Sequence, residues 1–178
     1  LPTSVSGMSL DRQCASGLMA IATAAKQIVV DNMDVTLGGG VDSISIVQTP
    51  QMRVQPDPEL VAMHKDIYMP MLQTAEVVAK RYGISRDAQD EYGFQSQQRT
   101  AAAQAAGKFD DEIVAVTASM AITDKETKEV SYKEVTLAKD EGNRPDTTLE
   151  GLKSLKPVLG PDLNITAGNA SQLSDGAS

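Results

Sequence analysis

Leu18, Ile21, Ala22, Ala25, Ile28 and Val29 recur three and four residues apart, the spacing of one apolar face of a helix. The run Gly7-Met8-Ser9-Leu10 before it can be extended, so a strand is expected to turn into a helix near residue 14. Asp34-Val35-Thr36-Leu37 reads as a strand leading into Gly38, Gly39 and Gly40, and Ile44-Ser45-Ile46-Val47 begins another extended piece. Strand, helix, strand over residues 1–48 is a unit of α/β type. Pro50, Pro56, Pro58 and Pro70 punctuate a linker that also holds Met52, Met63, Met69 and Met71.

From Gln73 the helical period returns: Ala75, Val78, Ala79 and Tyr82 share a face, and Gly83 suits the C-cap. Ser85 can cap a second helix, Asp87 supports its first turn, and Gly107 ends it after an alanine-rich stretch. Ile113 to Ser119 and Glu129 to Thr136, rich in Val, Thr and Ile or alternating in polarity, predict two paired strands. Thr147 with Glu150 has capping-box spacing before a short helix from Leu149 to Leu155, stopped by Pro157. No internal repeat or low-complexity segment is visible.

Composition narrows the function classes. With 24 acidic against 16 basic residues the net charge is -8, which argues against nucleic acid, because binding a phosphate backbone needs Lys and Arg to displace counterions. No apolar run approaches the roughly 18 residues that would cross a bilayer, and the opening residues lack a basic segment followed by an apolar core. A single Cys excludes an internal disulfide framework and fits a reducing compartment; with a single His it also argues against a structural zinc site, so no metal ligands are assigned. Four Tyr, two Phe and no Trp leave any core to aliphatic and small side chains, and a chain of this size can bury one sizeable core.

That single cysteine, Cys14, carries the candidate chemistry. It falls at the expected helix start, where unpaired backbone N–H groups and the helix dipole favour an anion such as a thiolate. Ala15, Ser16 and Gly17 beside it are small and leave room for a substrate. The competing reading is a small buried hydrophobe.

Cys14-Ala15-Ser16-Gly17-Leu18, followed by the alanine-rich helix and Leu37-Gly38-Gly39-Gly40-Val41-Asp42-Ser43, resembles the nucleophile region of the thiolases, the acyl-CoA C-acyltransferases. Thr74-Ala75-Glu76-Val77-Val78-Ala79, Gly83 to Asp90, Ser96-Gln97-Gln98-Arg99 and Gly107 to Ile113 are similar to the family's middle region in the same order. Thr166-Ala167-Gly168-Asn169-Ala170-Ser171, then Ser174 to Ala177, resembles the motif lining its coenzyme A pocket. Three ordered blocks are far more specific than one short motif.

The resemblance implies a layered αβαβα fold of α/β class. Residues 1–48 would be part of the N-terminal half-domain with the nucleophile, 49–160 an inserted α+β loop domain covering CoA, and 161–178 the return into the half-domain. The chain opens at Leu1 without Met, and the resemblance implies further sequence on both sides. Upstream would lie a strand and helix. Downstream would lie a second half carrying an Asn-Glu-Ala-Phe-like stretch, a Gly-His-Pro histidine and a second Cys. His64, in Val61-Ala62-Met63-His64-Lys65, is in a different context and reads as a surface or loop residue. The chain by itself is therefore expected to have negligible turnover.

The implied reaction is thiolytic cleavage of a 3-ketoacyl-CoA through an acyl group on Cys14, or the reverse Claisen condensation, with the Cys14 backbone N–H as one oxyanion donor. CoA and acyl-CoA are substrates, and no permanently bound cofactor is implied. Ser171 matches a serine that meets the pantetheine arm, with a helix N-cap as the other reading. Arg144 looks like the family's arginine near the adenine and phosphate end, or is an exposed Arg without a partner. Ala167 and Leu173 would flank the pantetheine or simply pack. Met71 would lie over the thioester end or fill core. Pro70 stands where many relatives have a His, which points to a different acyl preference.

The resemblance also implies a homodimer or homotetramer, and the single Cys fits the cytoplasm, with organellar targeting left open. Arg12-Gln13 before Cys14 leans toward the degradative members. Two rivals remain: another condensing enzyme such as a ketoacyl synthase, and a non-catalytic CoA-binding scaffold. Gly38 to Gly40 lacks dinucleotide-fingerprint spacing and reads as a tight turn at a strand end. The glycosylation patterns at Asn164 and Asn169 read as coincidental, and Asp110-Asp111-Glu112 as a solvated face.

Overall fold

The structure, a computed structural model, describes residues 1–47, 49 and 55–178. Pro50 and Met52 of the expected linker lie outside the described residues. The chain divides into two compact units, residues 1–55 with 173–178, and residues 56–172.

In the first unit a 3-10 turn, Gln13–Ala15, leads directly into α1, Ser16–Asp31. Asn32, left-handed at φ 56, ends the helix. Leu18, Ile21, Ile28 and Val29 of the expected apolar face are all exposed in the chain by itself, and α1 buries no residue. Gln13–Asp31 is also long and apolar enough to cross a membrane by length and composition, which qualifies the expectation of no such run; one helix of this kind is equally the core helix of a water-soluble protein. Strand β1, Val41–Asp42, pairs antiparallel with β4, Gly176–Ala177, and Gly40 and Ser178 extend the pairing through reciprocal backbone hydrogen bonds of 2.8 and 2.9 Å. Gly38 is required by close approach: a Cβ there would come within 3.0 Å of the Ala20 backbone in α1.

Three expectations for this unit fail. Residues 7–10 and 34–37 lie outside any ladder, since no described strand pairs with them. Ile44–Val47 is not extended but forms a short helix, α2, because the Asp175 carboxylate accepts from Ser45 N at 2.9 Å and satisfies an N–H that a strand would have left to a neighbour. That bond holds the Asp175 carboxyl below its ordinary value.

The second unit opens with α3, Pro58–Met63, capped by Asp57, whose carboxylate accepts from Glu59 N and Leu60 N. Helix α4, Met71–Tyr82, ends at Gly83 with φ 64, the left-handed C-cap expected of that glycine. Ser85 then caps α5, Arg86–Ala105, accepting from Ala88 N at 3.2 Å, and Gly107 at φ 66 closes its C-terminal end. Strands β2, Val116–Thr123, and β3, Val130–Leu137, form the expected hairpin, with both strands displaced toward the C-terminus of the chain, β2 the more so. Asp124 shapes that turn by accepting from Thr127 N and Glu126 N, bonds that lower its pKa. Helix α6, Leu149–Ser154, is capped by Thr148, not Thr147; Thr148 Oγ1 accepts from Gly151 N at 3.0 Å, while Thr147 Oγ1 donates to Arg144 O at 2.7 Å.

Few side chains are fully buried among the described residues. Among the described residues the buried apolar side chains are Ala79, Leu152 and Ile165, and beside them lie buried Glu76, Asp90 and Thr166. The expected face of α4 is correspondingly displaced, with Glu76 and Ala79 inside and Val78 and Tyr82 exposed. A carboxylate can occupy such a position only when its lone pairs are used.

Candidate active site

In the first unit Cys14 sits within the 3-10 turn and is exposed, not a buried hydrophobe. The backbone just before it is unusual: Gln13 has φ 50, a left-handed conformation costly for a residue with a Cβ. Local bonds hold it there. Asp11 Oδ1 accepts from Gln13 N at 2.7 Å, Ser16 Oγ accepts from Arg12 N at 2.8 Å, and the same hydroxyl donates to Gln13 O at 2.7 Å. The sharp bend presents the Cys14 thiol on the outside of the turn, and the Cys14 N–H has no acceptor among the described residues. Leu173, in the same unit, is exposed in the segment before β4.

In the second unit the segment 163–171, without helix or strand, is fixed by two buried carboxylates. Glu76 Oε1 accepts from Asn164 N at 2.8 Å and Ile165 N at 2.7 Å, and its Oε2 accepts from Asn164 Nδ2 at 3.1 Å. Asp90, fully buried, accepts from Arg86 Nε at 2.7 Å and Asn169 Nδ2 at 3.0 Å. Asn169 also donates to Asn164 O and accepts from Thr166 N, so one side chain closes the turn that carries Ala167. Arg86 reaches on to the carbonyls of Leu152 and Leu155, tying in α6. Gly93 lets α5 approach: a Cβ there would meet Gly168 O at 3.4 Å.

Burial works to raise the Glu76 pKa, but the hydrogen bonds from Ile165 N, Asn164 N and the Asn164 side chain outweigh it and hold the carboxyl below its ordinary 4.5. Because the folded pKa is depressed, the stabilisation is fully present above about pH 4.5, the unfolded value, and is lost as pH falls through the lower folded value. Urea midpoints between pH 7 and 3 are therefore expected to fall less steeply in Glu76→Gln than in the parent protein below pH 4.5; parallel curves would show that Glu76 does not couple folding to pH.

Of the predicted contact residues, Ala167 and Ser171 lie on this segment, exposed. No helix follows Ser171 among the described residues, so it is not an N-cap. Arg144 is exposed on the loop between β3 and α6, its guanidinium without a partner among the described residues. Gln172 Nε2 donates to Gly142 O at 2.8 Å, joining the Arg144 loop to the Ser171 segment. Met71 is 75% exposed at the first residue of α4 and fills no core. His64 is the exposed C-cap of α3. The Asn164 and Asn169 amide nitrogens are both engaged in hydrogen bonds, which fits the coincidental reading of the two glycosylation patterns. The residues that sequence reasoning missed are Glu76, Asp90, Gln97 and Asn169; for the first three, which lie on α4 and α5, the visible signal was a polar side chain at a helix position, whereas Asn169 lies in a turn and gave no such signal.

Residues 1–178 match the family described as Thiolase, N-terminal domain. The chain is 42% identical over 179 residues to the 3-ketoacyl-CoA thiolase of Bacillus subtilis strain 168, covering 99% of this chain and 45% of that one. It is likewise 42% identical over 182 residues to the peroxisomal 3-ketoacyl-CoA thiolase of Homo sapiens, covering 99% and 41%. Among solved structures it is similar to the dimeric peroxisomal thiolase of Saccharomyces cerevisiae, at TM-score 0.75 and 36% identity over 94% of this chain and 41% of that one. It is also similar to human mitochondrial 3-ketoacyl-CoA thiolase in complex with CoA, at TM-score 0.68 and 35% identity over 92% and 41%. The chain thus spans less than half the length of these relatives, and its fold is of the α/β class they share. The match from residue 1 to residue 178 specifies it further: the chain belongs to the thiolase family and carries that family's N-terminal domain.

Proposed function

We propose that this chain is the nucleophile-bearing part of an acyl-CoA C-acyltransferase, with Cys14 as the acylated residue. The observation that carries the reading is the exposed thiol at a strained bend opening α1, within a family match that runs the length of the chain. The Cys14 thiolate attacks C3 of a 3-ketoacyl-CoA, and the C2–C3 bond breaks. The acyl group stays on sulfur as a thioester while the enolate of acetyl-CoA takes a proton at C2 and leaves. A second CoA thiol attacks the thioester carbonyl, releases the shortened acyl-CoA and returns the cysteine. The unpartnered Cys14 N–H is suited to the oxyanion formed in each attack. Run backwards, the same steps join two acyl-CoA molecules.

Ser171 and Ala167, with Leu173, are assigned to the pantetheine arm, Met71 to the thioester end and Arg144 to the nucleotide end. Residues 1–48 with 161–178 form the half-domain and 49–160 the CoA-covering domain. The working assembly is a homodimer or homotetramer, in line with the dimeric yeast relative. The human and Yarrowia lipolytica relatives are named peroxisomal, so the compartment is either the cytoplasm or an organelle. The 178-residue chain alone is proposed to be inactive, since its one histidine is exposed and no group among the described residues hydrogen-bonds to the Cys14 thiol.

Incubation of the full-length protein with acetoacetyl-CoA, followed by digestion and mass spectrometry, is expected to place one acetyl group on the peptide bearing Cys14. An unmodified Cys14 in protein that still binds CoA would favour the non-catalytic scaffold.

A further inference from the structure

We propose that Gln97 is a positioning residue for the nucleotide end of CoA, acting through the backbone of Arg144; the inference rests on the assignment of Arg144 made above. The loop 138–148 contains no helix or strand, yet its backbone is pinned at several points by glutamine side chains. Gln104 Nε2 donates to Asp140 O at 3.2 Å, Gln172 Nε2 to Gly142 O at 2.8 Å and Gln98 Nε2 to Thr147 O at 3.4 Å. The tether with the most bonds is at Gln97. Its Oε1 accepts from both Arg144 N at 2.8 Å and Asn143 Nδ2 at 2.9 Å, and the Asn143 amide donates again to Gln97 O at 2.9 Å.

This arrangement is held at a local cost, because the buried Asn143 Oδ1 has no hydrogen-bond partner. The Asn143 amide is committed to Gln97 while its oxygen goes unused, so the bonds to Gln97 fix the amide's orientation. A guanidinium on a long stem binds phosphate well only when its Cα is held where the two-pronged geometry can form. Gln97 supplies that hold, and Thr147 Oγ1 donating to Arg144 O completes it from the other side.

The same helix holds the other loop. Arg86, Asp90, Gly93, Gln97 and Gln104 fall within an arc of about 60° on α5 at 3.6 residues per turn. One stripe therefore fixes the segment bearing Ala167 and Ser171 through Asp90 and Gly93, and the loop bearing Arg144 through Gln97 and Gln104. The two ends of an extended cofactor would thus be spaced by a single rigid element.

The test compares CoA with pantetheine, which has the same thiol arm without the nucleotide, as acyl acceptor for the full-length protein. Arg144→Ala is expected to raise KM for CoA about tenfold, the loss of one charge-assisted contact, and to leave pantetheine unchanged. Gln97→Ala is expected to raise KM for CoA three- to tenfold, by a smaller loss of the same contact, at roughly unchanged kcat and pantetheine KM. Gln97→Glu, which keeps an oxygen for both donors, is expected to retain the parental CoA KM. If Gln97→Ala fails to fold, Gln172→Ala, which cuts another tether on the same loop, must show the split. A Gln97 variant that alters both acceptors equally, or neither, while Arg144→Ala discriminates between them, overturns the positioning role and leaves Arg144 in place. If Arg144→Ala does not discriminate, the assignment of Arg144 fails and the inference with it.

Discussion

Replacing Cys14 by serine is expected to lower kcat for a 3-ketoacyl-CoA in the full-length protein by about four orders of magnitude or more, the scale seen when a nucleophile is removed from a preorganised site. The hydroxyl is a far weaker nucleophile than a thiolate near neutral pH, and the oxygen ester it would form is less activated for transfer to CoA than a thioester. The candidate CoA contacts lie elsewhere, at Arg144, Ala167 and Ser171, so affinity for CoA should change little. Steady-state turnover and equilibrium binding of CoA, measured on the same preparation, separate the two effects. Turnover within tenfold of the parent would eliminate the covalent route through this residue.

The bend that presents Cys14 was only half legible. The apolar period from Leu18 predicts α1 and places the cysteine at its start, but nothing in Asp11-Arg12-Gln13 signals the left-handed Gln13, which depends on Asp11 and Ser16 bonding across the bend. Elsewhere local chemistry was enough. Gly83, Ser85 and Gly107 set the ends of α4 and α5 because a left-handed C-cap and a side-chain N-cap are properties of one or two residues. Where the deciding partner is remote, the sequence misleads. Ile44–Val47 looks like a strand until Asp175, 130 positions later, caps it, and Glu76 looks like a surface residue until Asn164 and Ile165 arrive at its carboxylate. Thr147 and Thr148 are adjacent and chemically alike, so choosing the cap between them requires the Arg144 loop to be in place. The candidate site divides in the same way: Cys14 and Ser171 stand out from their motifs, whereas Gln97 and Asp90 acquire their roles only from loops far along the chain.

Asp90→Ala is expected to be the most destabilising single change in the second unit, by about 3 kcal/mol or more, because it removes one partner from a buried ion pair. The side chain is fully buried, the Arg86 side chain is only 22% exposed, and the substitution strands Arg86 Nε and leaves Asn169 Nδ2 with only its bond to Asn164 O. Loss of the Asn169 contact also loosens the closure of the turn at Thr166. The exposed pair between Lys153 and Asp87, at 3.4 Å, is the internal control, and Lys153→Ala should cost less than about 1 kcal/mol. Urea denaturation at pH 7 reads both. Equal costs for the two variants would mean that the buried pair does not organise the unit.

The stripe along α5 makes the helix a ruler, and a ruler tolerates substitution better than it tolerates a change in length. One residue inserted between Gly93 and Gln97 would rotate everything downstream by about 100°. Asp90 would keep its grip on Asn169, while Gln97 and Gln104 would turn away from the loop they hold. In the turn of the hairpin, residues 124–129, an added residue lengthens a solvent-facing bend and disturbs no such alignment. Length variation among natural sequences of this family should accordingly collect at the tip of the hairpin and spare the middle of α5.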